Sequence, residues 1–306
     1  MAALRASLPS ETRLGWVVER HLEELVRLVA PVDVIFVAST RAWRRAPFNA
    51  QTHGEIGELR NNLRRFAAGQ TSIDFQGLMK SAILGVVAGA TDRIGFNRAA
   101  VRERLSLMMT NRRIPVQRGH VVELNMQLAA AAGASGSPPA LDFSRFEDDS
   151  SGMIAACVTP RTVVLNPGAG HGSKQWGIGR FGELADQLAA QSGLEPLVIW
   201  GPGEKAMAAR IAARSAATLA PETSLRELAF LLRRSRLMVS GDTGPLHLAA
   251  ALGTPVVGLY GPTDPSRNGP WGQLHHCVSA WTTTRSLETI TVAQVMEVAA
   301  RAVGEV

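Results

Sequence analysis

Short apolar runs alternate along this chain with longer stretches whose apolar positions recur every three to four residues. The runs predict buried strands and the longer stretches predict amphipathic helices. In the first half the strands are expected at Leu14–Val18, Val34–Val37, Ser72–Phe75 and Arg93–Gly95. In the second half they are expected at Thr162–Asn166, Pro196–Trp200, Leu237–Ser240 and Pro255–Tyr260. Helices are expected between them, among others at Arg180–Gln191, Glu204–Ser215, Leu225–Arg234 and Pro245–Leu252, and a last one at Val292–Val303. Strands that are apolar on both faces and alternate with helices belong to parallel sheets covered on both sides. The stretch Gly133–Ser144 interrupts the alternation with small residues and two prolines, so it reads as a linker. The pattern therefore predicts an α/β chain of two Rossmann-like domains, residues 1–140 and 141–306, facing a cleft. Ligands of such domains bind at the C-terminal ends of the strands.

The beginning breaks the pattern. The chain opens in a helix, Ala2–Ser7, and the first strand follows only at Leu14. A doubly wound domain ordinarily opens with the strand that becomes central in its sheet, and a sheet without it has two bare ladder edges in its interior. The expectation is that the first strand of the N-terminal domain is missing ahead of Met1.

Composition narrows the function classes. With 46% hydrophobic and 19% charged residues the chain is globular. No apolar run reaches the length of a membrane-spanning helix. Cys157 and Cys277 are far apart and lack metal-ligand spacing, so both read as reduced thiols of a cytoplasmic protein. The net charge of +6 is uneven: residues 1–140 hold 18 Lys/Arg against 11 Asp/Glu, and residues 141–306 hold 14 against 15. The basic residues are scattered, and no nucleic-acid motif accompanies them. An anionic substrate or membrane surface is the better partner for the first half. A dehydrogenase is disfavoured because no Gly-x-Gly-x-x-Gly follows a predicted strand.

The segment SGDTGPLHLAAALGTPVVGLYGPTDP, Ser240–Pro265, carries the most chemistry. A strand ends there in a Gly-Asp-Thr-Gly turn that opens a helix. The first N–H groups of a helix and the positive end of its dipole suit an anion such as a nucleotide diphosphate. Gly241 and Gly244 keep the backbone approachable, Asp242 or Thr243 can cap the helix, and His247 lies on its first turn. His247 reads either as a phosphate contact or as a structural histidine. Lys174 can supply a full positive charge to the diphosphate, and the neighbouring Trp176 and Gly-Ser favour that over a solvated surface role. Glu204 follows a strand end, where a carboxylate accepts ribose hydroxyls or simply favours a helix start.

The second half resembles glycosyltransferase family 9, the lipopolysaccharide heptosyltransferases, through VVLNPGAGHGSKQW (Val163–Trp176), VIWGPGE (Val198–Glu204) and Ser224–Pro265, in that order and spacing. The first half resembles heptosyltransferase I through LGWVVER (Leu14–Arg20), RAWRRAPF (Arg41–Phe48), IDFQGLMKSA (Ile73–Ala82) and RIGFNRAAVRE (Arg93–Glu103). The resemblance implies a GT-B fold. It implies inverting transfer of heptose from ADP-L-glycero-β-D-manno-heptose to a Kdo sugar of Kdo2-lipid A, in lipopolysaccharide inner-core synthesis at the cytoplasmic face of the inner membrane. It further implies donor contacts from Lys174, Asp242, Thr243 and Gly244, ribose contact from Glu204, and an adenine pocket at Thr223. Thr223 reads equally as the N-cap of the helix that follows. Asn166, Gly168 and Ala169 would shape the other phosphate-facing loop. Arg41, Arg44, Arg45, Lys80, Arg98 and Arg102 would meet Kdo carboxylates and lipid A phosphates, since guanidinium groups bind both bidentately. The last helix would cross back to the first domain.

Family members open with a strand and a Ser-x-Gly-Asp loop whose Asp is implied as the catalytic base. No residue here matches that Asp, so the catalytic residue is unknown from sequence. The absent segment would be roughly 15–20 residues, and the chain as written would be inactive or nearly so. Asp74 is a poor substitute, because members keep both carboxylates. No metal-ligand cluster is visible, and the cationic groups suffice for a diphosphate. A Mg²⁺ ion carried by ADP stays open. Two other readings stand beside the transferase: a non-catalytic nucleotide-sugar-binding protein, and a family 9 transferase with another sugar or acceptor.

Overall fold

The structure is a computed structural model that describes residues 1–117, 119–136, 152–170 and 172–304. Most of the expected linker, from residue 137 onward, lies outside the described residues. The chain divides into two compact units, Met1–Asp142 and Phe143–Val306.

The second unit is built on six parallel strands: β6 (Thr162–Asn166), β7 (Glu195–Val198), β8 (Thr218–Leu219), β9 (Leu237–Gly241), β10 (Val256–Tyr260) and β11 (Cys277–Ser279). Strands β1–β5 and helices α1–α6 belong to the first unit, and α12 is the short helix Pro265–Asn268 after β10. The spatial order is β11-β10-β9-β6-β7-β8. Read from the other edge, this is the doubly wound order, with the first strand in the centre and a switch of direction between β6 and β9. Every residue of β6, β9 and β10 is buried.

Alternate side chains of these strands serve opposite faces. Val163, Leu165, Val239 and Val257 pack on one side with α8 (Ile178–Ser192), α9 (Lys205–Ala212) and α13 (Val292–Gly304). Val164, Met238, Val256 and Tyr260 pack on the other side with α7 (Met153–Cys157), α10 (Leu225–Arg234) and α11 (Gly244–Ala251). The last helix was expected to cross to the first domain. Instead Val292, Val295, Val298 and Ala299 bury its apolar face in the second unit's own core.

Among its described residues the first unit holds five strands in two separate sheets. β1 (Gly15–Glu19) pairs only with β2 (Val34–Ala38), and β4 (Asp92–Phe96) lies between β3 (Thr71–Ile73) and β5 (Arg112–Ile114). All pairings are parallel. The helices are α1 (Ala2–Ser7), α2 (Glu23–Val29), α3 (Thr40–Arg45), α4 (Ala50–Ala67), α5 (Met79–Val87) and α6 (Val121–Ala131). α1 packs on α6, and α4 on α5. The strands β5, β8 and β11 escaped the sequence pattern. They are two or three residues long and partly exposed, too short to show a period.

Candidate functional site

The C-terminal ends of β6 and β9 stand side by side at the switch point of the second sheet. Asn166 ends β6, and its Nδ2 donates to Ser240 Oγ at 3.1 Å and to Thr243 Oγ1 at 3.1 Å. Ser240 and Thr243 hydroxyls are 2.9 Å apart. This buried triangle locks the loop after β6 against the turn after β9.

Thr243 occupies the N-cap position of α11, yet neither its hydroxyl nor Asp242 caps the helix. The expected cap is absent because both side chains are engaged elsewhere. Pro245 has no N–H to offer, and among the described residues the N–H groups of Gly244 and Leu246 have no partner. The start of α11 therefore keeps free donors at the switch point.

Asp242 is the hub of the charges. Lys174, from a turn of 3₁₀ helix at Gly172–Lys174, places Nζ 2.6 Å from Asp242 Oδ2. His247 Nε2 lies 3.2 Å from Asp242 Oδ1. Burial pushes the Asp242 carboxyl up, but hydrogen bonds from His247 and Lys174 and the charge of Lys174 outweigh it, holding the group at about 2. Asp242 is thus ionised at any working pH, with the Lys174 ammonium on one oxygen and the His247 ring on the other. Asp242 thereby positions Lys174 and His247. Gly241 is required here, because a Cβ would stand 2.9 Å from the Lys174 carbonyl oxygen. Trp176 anchors the Lys174 loop from below. It is 2% exposed, packs edge-on against Phe181 and donates Nε1–H to the Ile290 carbonyl at 2.9 Å.

Glu204 accepts the Gly201 N–H at 3.0 Å and lies directly against Gly168 in the loop that also holds Ala169. A side chain at position 168 would collide with that carboxylate, so a glycine is needed there. Glu204 precedes α9 without capping it by its side chain. Thr223 stands apart from the network, on the loop after β8. Ser224, not Thr223, caps α10, in a reciprocal capping box with Glu227, so the capping role left open for Thr223 is excluded.

In the first unit the basic residues follow the C-terminal ends of the strands. Arg41, Arg44 and Arg45 lie exposed on α3, directly after β2. Lys80 opens α5 after β3, and Arg98 and Arg102 are exposed on the loop after β4. Glu19, at the end of β1, joins two of these groups. It accepts the Thr40 hydroxyl and lies 3.5 Å from Lys80 Nζ. Asp74 is buried after β3 and accepts N–H groups of Gln76 and Gly77 at 3.0 and 3.3 Å. Burial holds its carboxyl above the usual range despite hydrogen bonds from Ser81, Gln76 and Gly77.

Sequence reasoning passed over Ser240, Glu19 and Thr263. The only signals were a lone hydroxyl or carboxylate ending an apolar strand, and a threonine inside the quoted Gly-Pro-Thr-Asp run. The Thr263 hydroxyl is buried without a partner among the described residues. No cluster of three His, Cys, Asp or Glu side chains suited to a metal occurs among them either.

The sequence model of glycosyltransferase family 9 (heptosyltransferase) matches residues 56–294. Lipopolysaccharide heptosyltransferase 1 of Pseudomonas aeruginosa is 33% identical over 274 residues, 86% of this chain and 74% of that protein. The solved structure of E. coli heptosyltransferase WaaC with ADP superposes with a TM-score of 0.79 at 26% identity, covering 98% of this chain and 93% of that one. The same enzyme with ADP-2-deoxy-2-fluoro heptose gives 0.77 at 27% identity, over 97% and 91%. On the strength of this match across most of its length, and of two α/β units with parallel sheets of GT-B type, the chain belongs to glycosyltransferase family 9, the heptosyltransferases.

Proposed function

We propose that this chain moves L-glycero-D-manno-heptose from ADP-heptose to a Kdo sugar of Kdo2-lipid A, with inversion at the anomeric carbon. The observation that carries the reading is the Lys174–Asp242–His247 cluster, set beside free N–H donors at the start of α11. Departure of ADP develops negative charge on the diphosphate, and fixed donors in a partly buried site stabilise that charge without reorganising. Lys174 and the Gly244 and Leu246 N–H groups meet the diphosphate, and Asp242 keeps Lys174 in place. His247, 41% exposed at its side chain, remains reachable by a ligand. Glu204 takes the ribose hydroxyls, Thr223 lines the adenine end, and Asn166, Gly168 and Ala169 form the opposite wall. We assign no catalytic base.

Arg41, Arg44, Arg45, Lys80, Arg98 and Arg102 take the acceptor's carboxylates and phosphates. Beside them Phe48 is 92% exposed, and Leu105 and Met108 are 66% and 72% exposed. Apolar side chains among exposed arginines suit an anionic lipid surface. Among the described residues no helix is long and apolar enough to cross a membrane. The reading is of a protein held at the cytoplasmic face of the inner membrane by surface contact.

The test is incubation with ADP-L-glycero-β-D-manno-heptose and Kdo2-lipid A. ADP release that requires both substrates, with one heptose added to the lipid by mass spectrometry, supports the reading. Tight ADP-heptose binding without transfer favours a nucleotide-sugar-binding protein. Transfer only from another donor, or only to another acceptor, shifts the assignment within the family.

A further inference from the structure

One carboxylate joins the ends of three strands of the first unit. Glu19 ends β1, and its Oε1 accepts the Thr40 hydroxyl and lies 3.5 Å from Lys80 Nζ. Thr40 opens α3 after β2, and Lys80 stands in the first turn of α5 after β3. Next to Glu19, Arg20 donates Nε–H to Ser39 Oγ at 2.9 Å. The segments after β1 and β2 are therefore tied twice, through residues 19 and 20 on one side and 39 and 40 on the other.

These ties fix α3 at its first residue. Trp43, further along the same helix, donates Nε1–H to Glu55 Oε2 at 2.7 Å and so holds α3 to α4. Arg44 turns its Nε–H back onto the Thr40 carbonyl at 3.4 Å. The helix that carries Arg41, Arg44 and Arg45 is thus held at its start by Glu19 and at its middle by Glu55.

Stability does not account for the Glu19–Lys80 contact. The pair is long, and the Lys80 side chain is 46% exposed, so water and salt screen the attraction. Glu19 is the more buried partner, at 18%. Burial raises its carboxyl, but the Thr40 hydrogen bond and the Lys80 charge outweigh that and hold it below the usual carboxylate range. Glu19 is ionised at neutral pH, beside cations that face solvent. By charge alone such an acid weakens the pull on an anion. Its remaining effect is on position, as with Asp242 and Lys174 in the second unit, where the pair stands at 2.6 Å.

We infer that Glu19 is a positioning residue for the anionic acceptor: it fixes the Lys80 ammonium against the start of α3, so that a carboxylate or phosphate of the ligand finds both already in place. The inference rests on the acceptor reading of these cations. A side chain held in place before binding loses less freedom when the ligand arrives, and affinity rises accordingly. Position and charge predict opposite signs for removal of Glu19.

The test is binding of the full chain to Kdo2-lipid A in detergent micelles, with thermal melting followed by circular dichroism as the check on folding. Glu19→Ala is expected to weaken binding about tenfold, as for one lost charge-assisted hydrogen bond to the ligand. Glu19→Gln keeps an acceptor for the Thr40 hydroxyl but no charge for Lys80, and is expected to weaken binding about threefold. Glu24→Gln removes an exposed acid of α2 outside the network and is expected not to weaken it. In a Lys80→Ala, Thr40→Val background Glu19→Ala is expected to change binding less than about twofold, because its partners are gone. Equal or tighter binding by Glu19→Ala overturns the inference, since charge alone then describes the site. An undiminished loss in the double background overturns it too, since Glu19 then acts without Lys80 and Thr40. Should Glu19→Ala fail to fold, Glu19→Gln decides by the same signs. If the parent chain prefers Kdo2-lipid A micelles no more than plain ones, the acceptor reading falls and the inference with it. If the parent binds and Lys80→Ala weakens binding while both Glu19 variants leave it unchanged, the inference alone falls.

Discussion

The two units answer the same folding problem differently. The second runs six strands edge to edge, and its central strands expose nothing. Asn166 and Ser240 end neighbouring central strands, so the hydrogen-bonded register itself sets their side chains in contact. A continuous sheet thus delivers a pre-organised site at its switch point. The first unit bends the same order around a gap, and its strands are only partly buried. Its basic residues lie on separate helices and loops, and those in ion pairs, among them Arg5 with Asp33, Lys80 with Glu19 and Arg112 with Asp92, are paired one at a time. The difference teaches that the doubly wound order tolerates an open centre as long as helices from both sheets, α1 on α6 and α4 on α5, hold the edges together. The cost is a cavity where the other unit has its core.

A matched pair of truncations gives the largest effect. Leu165→Ala removes a fully buried central side chain and should cost about 3–5 kcal/mol in the second unit's unfolding transition. Leu63→Ala truncates a buried side chain that already lines a cavity and should cost about 2 kcal/mol in the first. Urea unfolding read separately for each unit checks this, and equal losses would break the comparison.

Lys174→Ala should weaken ADP binding about 100-fold by calorimetry, the value of a charge-assisted hydrogen bond to a diphosphate. An unchanged affinity would remove Lys174 from the donor site. Asp242→Asn tests the hub through pH. The folded carboxyl lies at about 2 against an ordinary 3.8. Its contribution to stability is therefore complete above 3.8 and is lost as pH falls toward 2. The substitution should cost roughly 2 kcal/mol at neutral pH, and the difference from the parent should vanish in acid. A loss that persists below pH 2 would mean the pair contributes nothing specific.

The smallest effect belongs to the exposed arginines. Arg44→Ala should weaken association with anionic vesicles about fivefold at low salt and hardly at all at high salt, with no change in ADP affinity. A larger, salt-independent loss would mean that Arg44 is part of a built site after all.

Much of the second unit was legible from the chain alone. Val163–Asn166 and Leu237–Gly241 are runs that tolerate only a buried sheet, and the span Leu225–Arg234 was legible although its cap is Ser224 rather than Thr223. The turn Gly241–Gly244 was legible as a strand end opening a helix, because strand, glycine and helix follow in immediate succession. Local interactions encode all of these, so sequence separation does not matter. What Asp242 does was not legible. Its partner Lys174 is far away in sequence, and only the β6–β9 register makes the two meet. The same holds for Asn166 with Thr243, for Glu204 against Gly168, and for the helix Val292–Gly304, whose apolar stripe says that it is covered but not by which unit. The sequence by itself determined the longer strands and helices, because burial and backbone geometry act over a few residues. Only the tertiary structure decided which side chains neutralise one another, and where the first sheet stays open, because pairing between distant strands is a property of the assembled sheet.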